Sequence, residues 1–302
     1  MLRRIGAVLG GRTPAISTAA AEAAEPHLTG QVAWVVGGVG LVGQGICRAL
    51  LRAGATVVVN SRFEKRLETL SEELAHPEKL VCVHGTMLPD GAADTVTRTM
   101  SMLGHRIDHV VAHSGVRWWA MDRGDESSTL GRQGRLLDVS PSDYAASCAQ
   151  LASLHYSAAH QLIPLLGDAS ANSYTFVTPG GAQSRAGTLT EWGPRSGLGR
   201  VNAHAVWGLA AALRSELRET SSLRMAELRV GMQLARDAAD RWKDPRETPL
   251  SHDIGAVCAG IAASEASAGM LTADNQEEMK QLKADYPVAN VGYSVYFAPE
   301  LL

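Results

Sequence analysis

Three glycines, Gly38, Gly40 and Gly43, have the spacing GxGxxG within the stretch VVGGVGLVGQGICRALL. The apolar run before them predicts a strand, and the periodic run after them predicts a helix. A backbone without Cβ atoms can approach a pyrophosphate closely, and the amides at the start of the helix attract the anion. The pattern therefore predicts a bound nucleotide; a tight turn that never meets a ligand is the alternative.

The second apolar segment, ATVVVN, ends at Asn60 and is followed by Ser61 and Arg62. An acidic residue at this point would accept hydrogen bonds from the ribose hydroxyls of NAD. A hydroxyl and a guanidinium instead suit the 2′-phosphate of NADP. We therefore predict NADP(H) as the ligand, with a solvated arginine at the start of the next helix as the alternative for Arg62.

Candidate acid and base residues are scattered along the chain. Tyr156 and His160 lie one helical turn apart, and a core or interface position is the more typical setting for such a pair. His113 and His204 lack an identifiable orienting carboxylate, and such single histidines are usually structural. No histidine or cysteine spacing matches a metal site. The residues alone therefore predict no metal site and no catalytic group.

Short β-branched runs alternate with longer helical patterns after Pro26. This alternation is typical of an α/β fold, and we predict a single doubly wound Rossmann-type domain with a parallel sheet of six or seven strands and helices on both faces. The predicted strands are 31–36, 56–60, 80–83, 107–112, 173–177 and 224–230. The predicted helices are 41–53, 63–74, 91–102, 141–166 and 199–217.

The order of these elements resembles the short-chain dehydrogenase/reductase family from about Gly30 to Ala266. The resemblance is carried by VVGGVGLVGQGICRALL, by VVVNSRFEKRLETLSEEL, by IDHVVAHSGV and by the helix that ends in LRSEL. The family's TGxxxGxG or TGxxGxxG turn is matched except that Val36 replaces the threonine, and of its NNAG motif only the last glycine is kept. The resemblance implies cofactor contacts at Gly37, Gly40, Val42, Gly43, Ser61, Arg62, Ala112, Ser114 and Gly115.

The family's catalytic residues are missing from the matching positions. The resemblance implies a tyrosine, a lysine four residues later and a serine that share the proton chemistry. Gly199 and Ala203 stand at the tyrosine and lysine positions, and neither can titrate. Thr178 or Pro179 stands at the serine position. We therefore favour a catalytically silent member over an enzyme, with an active NADPH-dependent carbonyl or enoyl reductase using unconventional donors as the alternative.

The first 26 residues have a composition of their own. They contain three arginines and no acidic residue before Glu22, and they are rich in Ala, Ser and Thr. This composition is typical of a mitochondrial transit peptide. We predict a mitochondrial transit peptide or disordered leader at 1–27, a dinucleotide-binding domain at 28–268 and a C-terminal extension at 269–302. The predicted location is the mitochondrial matrix or the matrix face of the inner membrane.

The 302 residues carry a net charge of −3, so no broad basic face is expected and nucleic acid is not a predicted partner. The apolar runs are shorter than the roughly 18 residues that suggest a transmembrane segment. By analogy with dehydrogenase-like accessory subunits of the respiratory chain, we predict other protein subunits of a mitochondrial complex as partners. A homo-oligomer contact through 141–166 and 199–217 is implied by the resemblance. The candidate interface tryptophans are Trp118, Trp119, Trp192 and Trp242.

Overall fold

The computed structural model describes residues 27–75, 77–113, 136–180, 197–232, 250–266 and 269–288. Within these ranges, the strands are β1 Val32–Val36, β2 Thr56–Ser61, β3 Leu80–His84, β4 His109–His113, β5 Ser173–Pro179, β6 Arg224–Val230 and β7 Gly269–Ala273. The helices are α1 Leu41–Arg52, α2 Glu64–Glu73, α3 Ala92–Met102, α4 Pro141–Leu166, α5 Gly197–Thr220, α6 Leu250–Ala263 and α7 Gln276–Asp285. The first 26 residues of the predicted leader and the four candidate interface tryptophans lie outside the described residues.

The seven strands form one sheet in the order β3-β2-β1-β4-β5-β6-β7, and every neighbouring pair is parallel. The strand order reverses between β1 and β4, and open α/β sheets bind their ligands in the crevice at such a point. This arrangement confirms the predicted doubly wound parallel sheet with helices on both faces.

Each face of the sheet is covered by its own set of helices. Val35 and Val57 belong to a core that also contains residues of α1, α6 and α7. Trp34 and Val58, their neighbours along the strands, belong to a second core with residues of α3, α4 and α5. Side chains alternate between the faces of a strand, so strands buried on both sides must be apolar throughout. The run VAWVV meets that requirement.

Helices α1 and α6 touch through glycines. A Cβ atom on Gly45 would lie 2.5 Å from the carbonyl carbon of Ser251, and one on Gly255 would lie 2.6 Å from the carbonyl carbon of Gly45. Real Cβ atoms do not approach backbone this closely. The absence of both side chains therefore lets α6 lie directly against the helix that follows the glycine turn.

Arg224, at the start of β6, joins that strand to the end of α6. Its guanidinium donates to the carbonyl oxygens of Ile261 and Ala262 at 2.7 and 3.0 Å, and to those of Ser170 and Ala171 at 2.7 and 2.9 Å. Carbonyls at a helix C-terminus lack intrahelical partners and carry partial negative charge. The buried cation is therefore matched by four acceptors rather than by a carboxylate.

The predicted strands and helices all have counterparts in the structure, whereas α6, β7 and α7 were not predicted. Ten of the fourteen residues of α6 are buried, so its apolar residues show no amphipathic period. The five residues GMLTA of β7 begin with a glycine, which weakens a strand pattern. Among the described residues, no helix has the length and apolar character that a bilayer crossing needs.

Buried histidines, among them His109 and His155, make the stability of the fold depend on pH. Burial lowers the pKa of His109 to about 4, and burial, aided by the nearby His113, lowers the pKa of His155 to about 3, against 6.5 for an ordinary histidine. The unfolded chain therefore binds protons that the folded chain excludes, and stability rises with pH. We expect the free energy of unfolding in urea to fall from pH 6.5 to pH 5 by up to about 1.4 kcal/mol per pH unit for each histidine.

The variant His155→Phe removes one of these groups while keeping an apolar ring in the core. Its unfolding free energy should depend less steeply on pH in the same window, where carboxylates remain charged. An unchanged slope would contradict the role assigned to His155.

Candidate functional site

The turn between β1 and α1 can be built only with glycine at several points. Gly37 has a φ of +78°, in the left-handed region that favours glycine. A Cβ atom on Gly43 would lie 2.6 Å from the Cα atom of Gly38, and one on Gly38 would lie 2.7 Å from a methyl group of Val59. The turn therefore packs against its own helix and against β2 with no space for side chains.

Gly40 differs from these glycines because packing does not require it. A Cβ atom there would meet only the carbonyl oxygen of Gly37, at an ordinary 3.5 Å. Gly40 is the N-cap of α1, where it supplies no side-chain cap, and the first turn of the helix contains no acidic residue. The amides of Val42 and Gly43 in this turn can therefore donate to an anion. Space is left where a pyrophosphate would approach.

A basic patch follows at the end of β2. The guanidinium carbons of Arg62 and Arg66 lie 5.5 and 5.0 Å from the centre of the Phe63 ring, which is 45% exposed. These cation–π contacts hold the two arginines close together. The hydroxyl of the buried Ser61 accepts a hydrogen bond from the Phe63 amide at 3.1 Å. A phosphate group next to this patch would meet two guanidiniums and one hydroxyl.

Interior hydrogen bonds fix the end of β2 beneath this patch. Asn60 is buried, and its side-chain oxygen accepts from the indole of Trp34 at 3.0 Å. His84, at the end of β3, has its Nε2 atom 3.1 Å from the carbonyl oxygen of Arg62. The backbone that carries Ser61 and Arg62 is thus held from both neighbouring strands.

The structure brings the described candidate residues to the same edge of the sheet. Ala112 lies fully buried in β4, in register with Val36 of β1. The glycine turn, Ser61 and Ala112 therefore belong to the C-terminal ends of three adjacent strands. Ser114 and Gly115 lie outside the described residues. In the described part of the chain, no cluster of histidine, cysteine and acidic residues could hold a metal ion.

Helix α5 contains both positions at which the resemblance implies catalytic residues. Gly199 and Ala203 lie in its first two turns, and Ala203 is 2% exposed. Neither side chain can exchange a proton. The neighbouring Asn202 is also buried and donates from its amide nitrogen to the hydroxyl of Ser147 on α4, at 3.3 Å. This part of α5 is therefore packed on α4.

The other candidate proton donors are engaged in contacts within the chain or are unable to give a proton. The Thr178 hydroxyl donates to Glu227 at 3.1 Å, and the Nδ1 atom of His204 is 2.8 Å from the carbonyl oxygen of Arg200. Burial lowers the pKa of His113 to about 4, so its ring is neutral at physiological pH and has no imidazolium proton to give. Tyr156 stacks on His160 and is 55% exposed. Of the two settings expected for this pair, core or interface, the exposure of Tyr156 excludes the core.

A buried charged cluster on the α5 face of the sheet was not predicted. Glu227 of β6 is fully buried and is contacted by the guanidiniums of Arg214 and Arg229 and by Thr178. The Arg229 guanidinium also lies 4.7 Å from the centre of the Trp207 ring. The sequence did contain a signal for this cluster, because the strand RMAELRV has a glutamate in its interior. A glutamate that is buried in a strand is almost always paired with a positive charge.

Solved structures of known proteins share the fold of this chain. A metagenomic short-chain oxidoreductase in complex with NADP is 21% identical, with a TM-score of 0.61 over 83% of this chain and 99% of its own. A dehydrogenase/reductase from Sinorhizobium meliloti is 18% identical, with a TM-score of 0.62 over 83% and 96%. The chain has the short-chain dehydrogenase fold. A short-chain dehydrogenase/reductase from Brucella melitensis is 15% identical, with a TM-score of 0.60 over 83% and 97%.

The likeness is one of fold, since no family model and no curated protein matches the sequence. In this chain the glycine turn after β1 and the patch after β2 stand at adjacent strand ends. The position of α5 after β5 also agrees with the expected order of elements.

Two glycines of the turn should respond differently to substitution by alanine. Gly43→Ala places a methyl group against backbone and should lower the free energy of unfolding by about 1–3 kcal/mol. Gly40→Ala meets no close atom, and the weaker N-cap should cost about 1 kcal/mol or less. Urea unfolding of the two variants beside the parent chain measures the difference. Equal losses of stability would contradict the geometry described for the turn.

Proposed function

We propose that this chain binds NADP(H) at the glycine turn, without turnover, and that the nucleotide is a structural ligand. The observation that carries the proposal is the open N-terminus of α1 at Gly40. Packing dictates the other glycines of the turn, whereas the missing side chain at Gly40 serves no contact within the chain. The pyrophosphate of a dinucleotide would use that space and the first-turn amides.

The preference for NADP(H) over NAD(H) rests on the patch after β2. The guanidiniums of Arg62 and Arg66 both contact the Phe63 ring, and the hydroxyl of Ser61 is bonded to the Phe63 amide. No carboxylate of β2 is available to accept from a ribose diol, because the strand reads TVVVNS. A solved structure with the same fold holds NADP, which supports this choice of ligand.

The proposal of binding without turnover rests on α5. Gly199 and Ala203 offer no titratable group at the expected positions, and Thr178 and His204 already have hydrogen-bond partners within the chain. A bound dinucleotide would stabilise the native state by mass action, because the unfolded chain does not bind it. Hydride transfer is the chemistry that NADPH supplies in active oxidoreductases.

We further propose that the chain serves as an accessory subunit of a mitochondrial assembly, such as a respiratory chain complex, in the matrix or at the matrix face of the inner membrane. The arginine-rich, acid-poor first 26 residues support the location. The exposed Tyr156 and His160 on α4 support a protein interface, because exposed aromatic side chains are favoured there.

NADPH binding can be measured by fluorescence titration of the chain from residue 27. We expect Arg62→Gln to weaken NADPH binding about tenfold or more and to leave NADH binding nearly unchanged, since only NADPH presents the 2′-phosphate. Gly40→Ala should weaken both nucleotides equally, because both contain the pyrophosphate. A parent chain that binds neither nucleotide would refute the proposal.

Turnover is tested by NADPH oxidation with a panel of carbonyl and enoyl compounds. We expect no oxidation above that seen without protein. Oxidation that disappears in His113→Ala or His204→Ala would instead establish the reductase.

The accessory role is tested by native gel electrophoresis of solubilised mitochondria followed by immunodetection of the chain. Migration with a respiratory complex is expected. Migration as a free protein or with the ribosome would count against an accessory subunit of the respiratory chain.

A further inference from the structure

We propose that Arg214 and Arg229 form a second ligand site, on the α5 face of β6, which binds a small carboxylate with a short apolar tail. The site is separate from the glycine turn, and it does not depend on nucleotide binding. Its residues come from α5 and from the last two strands of the sheet.

The carboxylate of Glu227 is saturated by its neighbours. Its Oε1 atom accepts from the hydroxyl of Thr178 at 3.1 Å and from Nε of Arg229 at 2.7 Å. Its Oε2 atom accepts from Nη2 of Arg229 at 3.2 Å and from Nη1 of Arg214. A carboxylate offers about four acceptor positions, so Glu227 can take no further donor.

The two guanidiniums keep unused donors that reach solvent. Each arginine has five N–H donors, and the bonds to Glu227 use two of those of Arg229 and one of Arg214. Neither residue has a nitrogen that is both buried and without a hydrogen-bond partner. The side chains of Arg214 and Arg229 are 18% and 13% exposed. Among the described residues, the remaining donors are therefore accessible to solvent.

The cluster carries one excess positive charge, because two arginines face a single glutamate that is fully buried. An excess charge in a largely desolvated place is costly unless it is matched. A monoanion neutralises it. A carboxylate also fits the planar fork of a guanidinium with two parallel hydrogen bonds.

An exposed apolar side chain lies on the strand next to Glu227. Met270 of β7 is in register with Glu227, and neighbouring side chains in register point to the same face of a parallel sheet. Met270 is 52% exposed, so the part of the chain that the structure describes leaves this end of the face open. Strands lie about 5 Å apart, which puts Met270 within reach of a short tail on the bound carboxylate.

Thermal unfolding with added salts tests the site. Sodium acetate, sodium hexanoate and neutral hexanamide are compared at constant ionic strength, held with sodium chloride. We expect the Tm to rise with the concentration of either carboxylate, and hexanoate should act at lower concentrations than acetate. Hexanamide should leave the Tm unchanged. In Arg229→Gln the midpoint concentration of hexanoate should increase about tenfold or more, because two charge-assisted donors are lost.

Two variants provide the controls. Arg218→Gln removes an exposed arginine of the same helix and should retain the full response. Met270→Ser changes an exposed side chain and should abolish the preference for hexanoate over acetate. This variant tests the site even if Arg229→Gln does not fold. NADPH affinity should be unchanged in Met270→Ser. Equal Tm shifts with hexanoate and hexanamide, or an unchanged hexanoate preference in Met270→Ser, would overturn the proposal.

Discussion

The position of α1 is the constraint on which the rest of the structure depends. At its N-terminal end the helix lies against the turn at Gly38 and Gly43, and further along it lies against α6 at Gly45 and Gly255, each time with backbone touching backbone. Contacts this close leave the helix no freedom to shift. They hold its first-turn amides at the C-terminal edge of the sheet, between the ends of β1 and β2.

The two halves of that edge use their polar groups in different ways. On the β1–β2 side, Arg62 and Arg66 are directed by an exposed ring and face outward. On the β5–β6 side, the Thr178 hydroxyl points to Glu227 and the indole of Trp207 donates to the carbonyl oxygen of Pro179 at 2.8 Å. Groups on that side tie α5 to the sheet. The Thr178 hydroxyl and the Trp207 indole are therefore used within the chain.

Two arginine sites show how this fold stabilises positive charge in its interior. Arg224 is surrounded by carbonyl oxygens at the end of α6, where the helix dipole favours a cation. Arg229 instead shares Glu227 with Arg214 and lies over Trp207. Arg224 directs four hydrogen bonds at these carbonyls, whereas Arg214 and Arg229 direct only three between them at Glu227. The donors left over at the second site are the ones that the proposed anion would use.

The sequence by itself determined the α/β class, the first six strands and the glycine turn, because β-branched runs, helical periods and glycine spacing are local properties. It also placed Ser61 and Arg62 after β2. Only the tertiary structure decided that β7 completes the sheet and that α6 covers one of its faces. Burial of most of α6 erases the period that would reveal the helix, and the glycine at the start of β7 weakens its strand pattern. The same holds for the distinction between Gly40 and Gly43, and for the pairing of Glu227 with an arginine from another element. These depend on the distances between backbones and side chains in the folded chain, which a pattern of residue types does not record.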